Sequence, residues 1–312
     1  MWKLVEKLLA PKTSRQSSVG YKSPSRGMKW SFAPGSNLFS GLAAKIDSQS
    51  EQTMYLPRNL GHSEVLTCQV VDEVNFAPNG ITATGIKAFD GVLQSNIVLK
   101  TLDLSGNPIG DEGVKFLCGI LVTNASIQKL QLNSINTGDH GFTGLAGSLL
   151  ENNTIGNLHL NNYGGALVAN ALAKGLEWNK LLWELHLHGH SIGDDGVCSL
   201  MSGLSSHKGK IAFLDIGNNS ISAKVAFYVT EYFKKSKNLL WLNLYLNDLA
   251  DEDAERIADA LKENDMITTI DLGRSNIRAK GVAEIAQALK DNTVISTMEQ
   301  KLCLKFSSFM EM

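Results

Sequence analysis

The chain contains no GxxxxGK[ST] phosphate loop, no GxSxG nucleophile turn and no HExxH helix. The usual signatures of nucleotide hydrolysis, serine-based acyl transfer and zinc-dependent proteolysis are therefore missing. Cysteine is sparse: Cys68, Cys118, Cys198 and Cys303 stand far apart, with no CxxC pair and no secretory signal. That pattern reads as reduced thiols rather than a disulfide framework. No apolar run approaches the roughly 18 residues that a membrane span needs. Net charge is only −2, so bulk charge recommends neither nucleic acid nor an acidic membrane as partner. Arginine is absent from 59 to 255. What remains is a 312-residue chain that is 43% hydrophobic, enough to bury a sizeable core in one elongated domain or two compact ones. It reads as soluble and intracellular.

Charge is unevenly placed. Residues 1–46 hold eight Lys/Arg and one acid, Glu6, together with eight serines. Trp2, Val5, Leu8 and Leu9 could share a face of a short helix that Pro11 would end. A basic, Ser-rich, acid-poor segment is the composition of an organelle transit peptide, and equally of a disordered basic tail. Residues 1–62 are accordingly expected to be disordered, with a plastid address if the segment is a transit peptide and a cytoplasmic location otherwise.

The body of the chain repeats. Apolar residues at relative positions 0, +3 and +5 recur as Val71-Val74-Phe76, Leu99-Leu102-Leu104, Ile127-Leu130-Leu132 and Ile155-Leu158-Leu160. They continue as Leu182-Leu185-Leu187, Ile211-Leu214-Ile216, Leu239-Leu242-Leu244 and Ile267-Ile270-Leu272. The period is 28, except for a coil of 27 from Ile155 and one of 29 from Leu182. Each unit opens with the alternation of a short strand and closes with helical i, i+4 pairs such as Leu117/Leu121, Leu145/Leu149, Leu200/Leu204 and Ile257/Leu261. Gly85, Gly113, Gly141, Gly196 and Gly281 are expected to precede the helices. Asn96, Asn124, Asn152, Asn179, Asn264 and Asn292 are expected to follow them, both as tight-turn residues. Such units cannot bury their faces alone. Stacked, they form a solenoid with a parallel sheet inside and helices outside.

The pattern LxxLxLxxNxIxxxGxxxLxxxLxxN, clearest in LKTLDLSGNPIGDEGVKFLCGILVTN (99–124), resembles the ribonuclease-inhibitor-like class of leucine-rich repeats over about 71–295. The wording GNPIGDEG, LLENNTI, ELHLHG and LSSHKGK is most similar to plant members, some assigned to plastids. The resemblance implies an α/β leucine-rich-repeat horseshoe of about eight units over 63–300, followed by an irregular tail at 301–312. It also implies a structural asparagine ladder at Asn79, Asn107, Asn219 and Asn247, bonding neighbouring backbone groups. Ile135, Tyr163, His190 and Ser275 replace the asparagine in the other coils, which puts the rigidity of the middle coils in doubt.

In this register the stretch ELHLHGHSIGDDG (184–196) is one repeat strand. Glu184, His186 and His188 point to the concave face and His190 to the corner. His159 holds the position of His186 one coil earlier, so the pair with Glu184 could hold zinc. Missing signature spacing and the openness of a concave sheet weigh against this, so the residues are read as surface or contact groups, with no metal and no cofactor. The concave rows of the later coils gather Phe213, Trp241 and Tyr245 beside His159, Glu184, His186, His188 and Asp215. Exposed aromatics flanked by charge are the composition of interface anchors. The expected function is non-catalytic binding of a protein partner through this face. The alternative is a GTPase-activating regulator resembling the repeat-built activator of the Ran GTPase, against which stand the missing arginines and the lack of an acidic tail. Asp194-Asp195 and Asp251-Glu252-Asp253 are read as helix caps. Leu302, Leu304, Phe306 and Phe309 end the chain without a polar capping unit, an edge open to self-association.

Overall fold

A computed structural model describes residues 72–162, 165–207, 209–292 and 294, with the backbone of two short strands further upstream. Those strands, β1 (Met28–Trp30) and β2 (Met54–Leu56), pair antiparallel with Lys29 opposite Tyr55. The rest of 1–62 and the tail 301–312 lie outside the described residues. So do the expectations placed on them: disorder, a transit peptide and an open C-terminal edge.

From Glu73 onward the chain builds eight coils. Strands β3 (Glu73–Asn75), β4 (Thr101–Asp103), β5 (Lys129–Gln131), β6 (Asn157–His159), β7 (Glu184–His186), β8 (Phe213–Asp215), β9 (Trp241–Asn243) and β10 (Thr269–Asp271) form one parallel sheet in sequence order. The register never slips: Val74, Leu102, Leu130, Leu158, Leu185, Leu214, Leu242 and Ile270 stand side by side as the middle residues. A one-residue slip would turn that apolar row out to solvent, so burial fixes the pairing. The first coil carries two short helices, α1 (Ala83–Lys87) and α2 (Val92–Ser95), separated at Gly91, whose φ of 76° breaks the helical path. The later coils each carry a longer one: α3 (Gly110–Thr123), α4 (Asp139–Glu151), α5 (Gly165–Trp178), α6 (Gly193–Ser206), α7 (Ala223–Lys235), α8 (Asp251–Glu263) and α9 (Ala279–Asp291). Their apolar faces and the strand leucines make one continuous core. The fold is the leucine-rich-repeat solenoid, as the period implies.

The corner ladder is more complete than the sequence suggests. Asn107 Oδ1 accepts from the backbone N–H of Asn79 (2.9 Å) and Ile81 (3.0 Å) in the coil before, while its Nδ2 donates to Leu104 O (2.8 Å) and Phe76 O (3.1 Å). Asn247 serves Asn219 and Ile221 in the same way. Where histidine replaces asparagine, His190 is fully buried and its Nε2–H donates to Leu160 O, the cross-coil donation an asparagine amide would make. His190 thus keeps the donating half of the ladder in one of the coils that lack the asparagine.

A second ladder runs along the opposite corner. The asparagines expected as turn residues are mostly buried, and they bridge coils. Asn124 Nδ2 donates to Leu93 O in the coil before (2.6 Å), and its Oδ1 accepts from Ser126 N (3.0 Å) and Ile127 N (2.8 Å). Asn152, Asn179, Asn264 and Asn292 repeat the bridge. His207 substitutes once more, its ring meeting Leu176 O at 2.9 Å. Each residue meets the orphan carbonyls of one helix end and the amides that lead into the next strand, so chain reversal and stacking are solved together.

Two further expectations are corrected. The acids do cap helices, but Asp111, Asp194 and Asp251 reach the start of the next coil's helix: Asp111 Oδ1 accepts from Gly138 N (2.6 Å), Asp194 from Ser222 N (3.2 Å) and Asp251 from Arg278 N (2.6 Å). Asp253 accepts from Ala250 N of its own helix at 2.9 Å, and Asp194, Asp195, Asp251 and Glu252 also lie in the first turns of their own helices, where the dipole favours them. The five glycines lie inside the first turns of their helices, not before them. A Cβ on Gly113, Gly196 or Gly281 would press on Ala83, Ala166 or Ala254 of the coil before. Helix contact, not chain reversal, requires them.

The tightest such contact with backbone lies where the 27-residue coil meets the next, between α5 and α6: a Cβ on Gly203 would sit 2.6 Å from both the Cα and the carbonyl oxygen of Ala173. Backbone cannot yield as a side-chain tip can. Gly203→Ala is expected to cost about 1–3 kcal/mol, outweighing the helix propensity it gains. Gly119→Ala, with open space at its Cβ, should be neutral or stabilising. Paired urea denaturations check both.

Candidate functional site

Strand register brings most of the predicted residues together. Asn157 pairs with Glu184, His159 with His186, and His186 with Asp215 across β6, β7 and β8. Glu184 Oε1 accepts from both imidazoles, at 3.2 Å from His159 Nε2 and 2.8 Å from His186 Nε2. Glu184 Oε2 accepts from Asn157 Nδ2. The two histidine rings stack with centroids 4.0 Å apart. His186 Nδ1 faces Asp215 Oδ2 at 3.5 Å, and His188 Nδ1 faces the other oxygen of Asp215 at 3.5 Å. His159, Glu184, His186, Asp215 and His188 thus form one unbroken polar chain across three coils.

The expected openness of this face does not hold here. The side chains of His159, Glu184 and His186 are only 15–17% exposed. Stacking of the rings against each other and against neighbouring residues accounts for it. Two imidazoles in such contact cannot both carry a proton cheaply. Burial, and then the neighbouring His186, push His159 down to about 4. Burial also opposes charge on His186, but Asp215 and Glu184 on its two sides outweigh it and raise its pKa. Asp215, although buried, is held below the usual carboxylate range by His186 and by the backbone N–H of Gly217.

A backbone detail frees these histidines. At the same strand position Asn75, Asp103, Asp215, Asn243 and Asp271 each accept from the N–H two residues on, at 2.8–3.0 Å. Histidine does not make that turn at His159 and His186. Instead Asn133 Oδ1 accepts from Asn161 N, and Asn161 Oδ1 from His188 N, both at 2.8 Å. The amide side chain of each preceding coil does the local work, and the imidazoles are left to one another and to Glu184.

The aromatics border the polar chain. Trp241 lies 6.0 Å from His186, and Tyr245 stacks on His188 at 6.4 Å, with the Arg274 guanidinium over the Tyr245 ring at 5.9 Å. Phe213 meets Trp183 edge-on at 5.8 Å. All three predicted aromatics, expected to be exposed, are half-buried and packed into a stripe. Trp183, 43% exposed, was missed by the sequence reading. Its signal was present: Gly156 is its counterpart one coil earlier, and a Cβ there would collide with the indole. Asn79, Asn107, Asn219 and Asn247 stay at the corner and take no part.

Other candidate chemistry is quiet. A cleft of about 680 Å³ between α6 and α7 is lined by Cys198, Tyr228 and Tyr232. Burial together with Asp194 and Asp195 raises the Cys198 thiol, and burial raises Cys118, so neither is a poised nucleophile. Among the described residues no helix is long and apolar enough to cross a membrane.

A family model described as "Leucine Rich repeat" matches residues 95–118. Over 83 residues the chain is 31% identical to NACHT, LRR and PYD domains-containing protein 14 of Homo sapiens, a stretch covering 27% of this chain and 8% of that protein. The chain thus spans under a tenth of the relative's length. Among solved structures, the actin-binding site 2 of leiomodin-1 matches 78% of this chain and 90% of that one, at 14% identity and a TM-score of 0.25. An internalin from Listeria monocytogenes matches 64% and 53%, at 19% identity and a TM-score of 0.37. Both superpositions are loose.

Proposed function

We propose that the concave face of the coils from β6 to β9 binds a protein partner without catalysis. One observation carries this: Phe213, Trp241 and Tyr245 are half-buried, preassembled by contacts with Trp183, His186 and His188, and bordered by the polar chain that runs from His159 to His188. Aromatic anchors already held in place lose little freedom on binding, and a polar rim around them excludes water. The same strand rows carry Glu73, Asp103, Glu184, Asp215 and Asp271 against Lys129 alone among lysines and arginines, so the partner segment is basic with an apolar centre.

The triple variant Phe213→Ala, Trp241→Ala, Tyr245→Ala tests it by affinity capture alongside the unaltered chain, with folding checked by circular dichroism. The expected result is a partner held by the unaltered chain and weakened about 100-fold or more in the variant. Equal capture by both would place binding elsewhere on the molecule.

A further inference from the structure

We infer that His159, Glu184 and His186 form a binding site for one divalent transition-metal ion, best suited to zinc. Their ligand atoms already lie within 4.8 Å of one another, drawn from two adjacent strands whose register cannot slip. Tetrahedral zinc takes imidazole nitrogen and carboxylate oxygen at about 2.0–2.2 Å, so the closure needed is a matter of side-chain rotation. Two imidazoles and one carboxylate favour zinc over magnesium or calcium, which prefer oxygen alone.

The outer groups are in place as well. A ligating imidazole is usually fixed by a carboxylate at its other nitrogen. His186 has that partner in Asp215, itself anchored by Gly217 N at 3.0 Å. Glu184 is oriented through its second oxygen by Asn157. Asn157 is 94% buried by its 6% exposure, and its Oδ1 has no hydrogen-bond partner among the described residues. A buried acceptor without a donor is costly, and the O–H of a metal-bound water at the fourth position would satisfy it. The amide relay through Asn133 and Asn161 completes the case. It removes from both histidines the turn-capping duty that Asx residues carry at this position in five other coils. The site stands whether or not the face also binds a protein.

The test is titration of the metal-free full chain with Zn²⁺ against a chromophoric chelator, with Co²⁺ absorption as a report on tetrahedral geometry. One equivalent of zinc is expected, with intense tetrahedral cobalt bands. His159→Gln and His186→Gln copy Gln131, which occupies the same row one coil before His159 and two before His186, so the row accommodates glutamine. Each should weaken zinc about 100-fold or more and abolish the cobalt bands, while His140→Ala, at an exposed position of α4, leaves both unchanged. Absence of saturable uptake would overturn the site. So would equal affinity in the double variant His159→Gln, His186→Gln, which would mark the uptake as adventitious.

Discussion

Acidification from pH 6.5 to 4 is expected to remove roughly 3 kcal/mol of stability through His190 alone, and His190→Asn should abolish that part of the loss. Burial pushes His190 down to about 4; the Leu160 carbonyl opposes the shift, and nearby His188 adds to it. Phe142 meets the ring edge-on at 6.1 Å. A histidine whose folded pKa lies below its unfolded value of 6.5 binds its proton first in the unfolded chain. Its stabilising contribution is complete above 6.5 and lost as pH falls toward 4. His159, also depressed, acts in the same direction, whereas His186, raised, adds stability as the pH drops. The readout is therefore the difference between the parent chain and His190→Asn, by urea denaturation at neutral and acidic pH. Asparagine supplies the Nδ2 donor that the ladder uses elsewhere and has no proton to gain. Parallel losses in the two chains would show that His190 is not buried as described.

Asn124→Ala should cost roughly 3–5 kcal/mol, among the largest single effects in the molecule. Asn124 is 3% exposed, and truncation strands Leu93 O, Ser126 N and Ile127 N, all in a region water cannot reach without opening two coils. Asn124→Asp keeps the acceptor and loses the donor, so its cost should fall between alanine and the parent. Thermal denaturation ranks the three chains. If alanine and aspartate behave alike, the two backbone amides contribute nothing and the ladder reduces to its single donation.

How much of this was legible in the sequence depends on whether a residue faces its own coil or the next. The strand rows, their register and the core leucines follow from a period of 28, because burial of alternate residues admits one solution. His159, Glu184, His186, His188 and Asp215 were therefore found by position. Their closeness was not. Stacking of His159 on His186 and the shared Glu184 oxygen depend on side-chain direction, which spacing does not encode. Asn124 and Asn152 look like turn residues of their own coil, yet both are buried and bridge to the coil before. Asp194 and Asp251 read as caps for their own helices because capping rules are local, while their partners lie 27 or 28 residues ahead. Gly113, Gly196 and Gly281 mislead similarly: besides an isoleucine of its own coil, each makes room for an alanine of the coil before.

The corner asparagine ladder has a consequence for how such a chain can grow or shrink over generations. Excising residues 211–238, one full period, would set Asn247 where Asn219 stood, and the N–H groups of His190 and Ile192 would find a carboxamide oxygen again. Excising 239–266 would set Ser275 there instead of Asn247, and Asn219 and Ile221 would lose the oxygen that now serves them. Coils of equal length are thus unequal as units of inheritance. An in-frame deletion is tolerated according to the residue that slides into the corner, so loss and duplication of repeats are steered toward those boundaries where one asparagine can replace another.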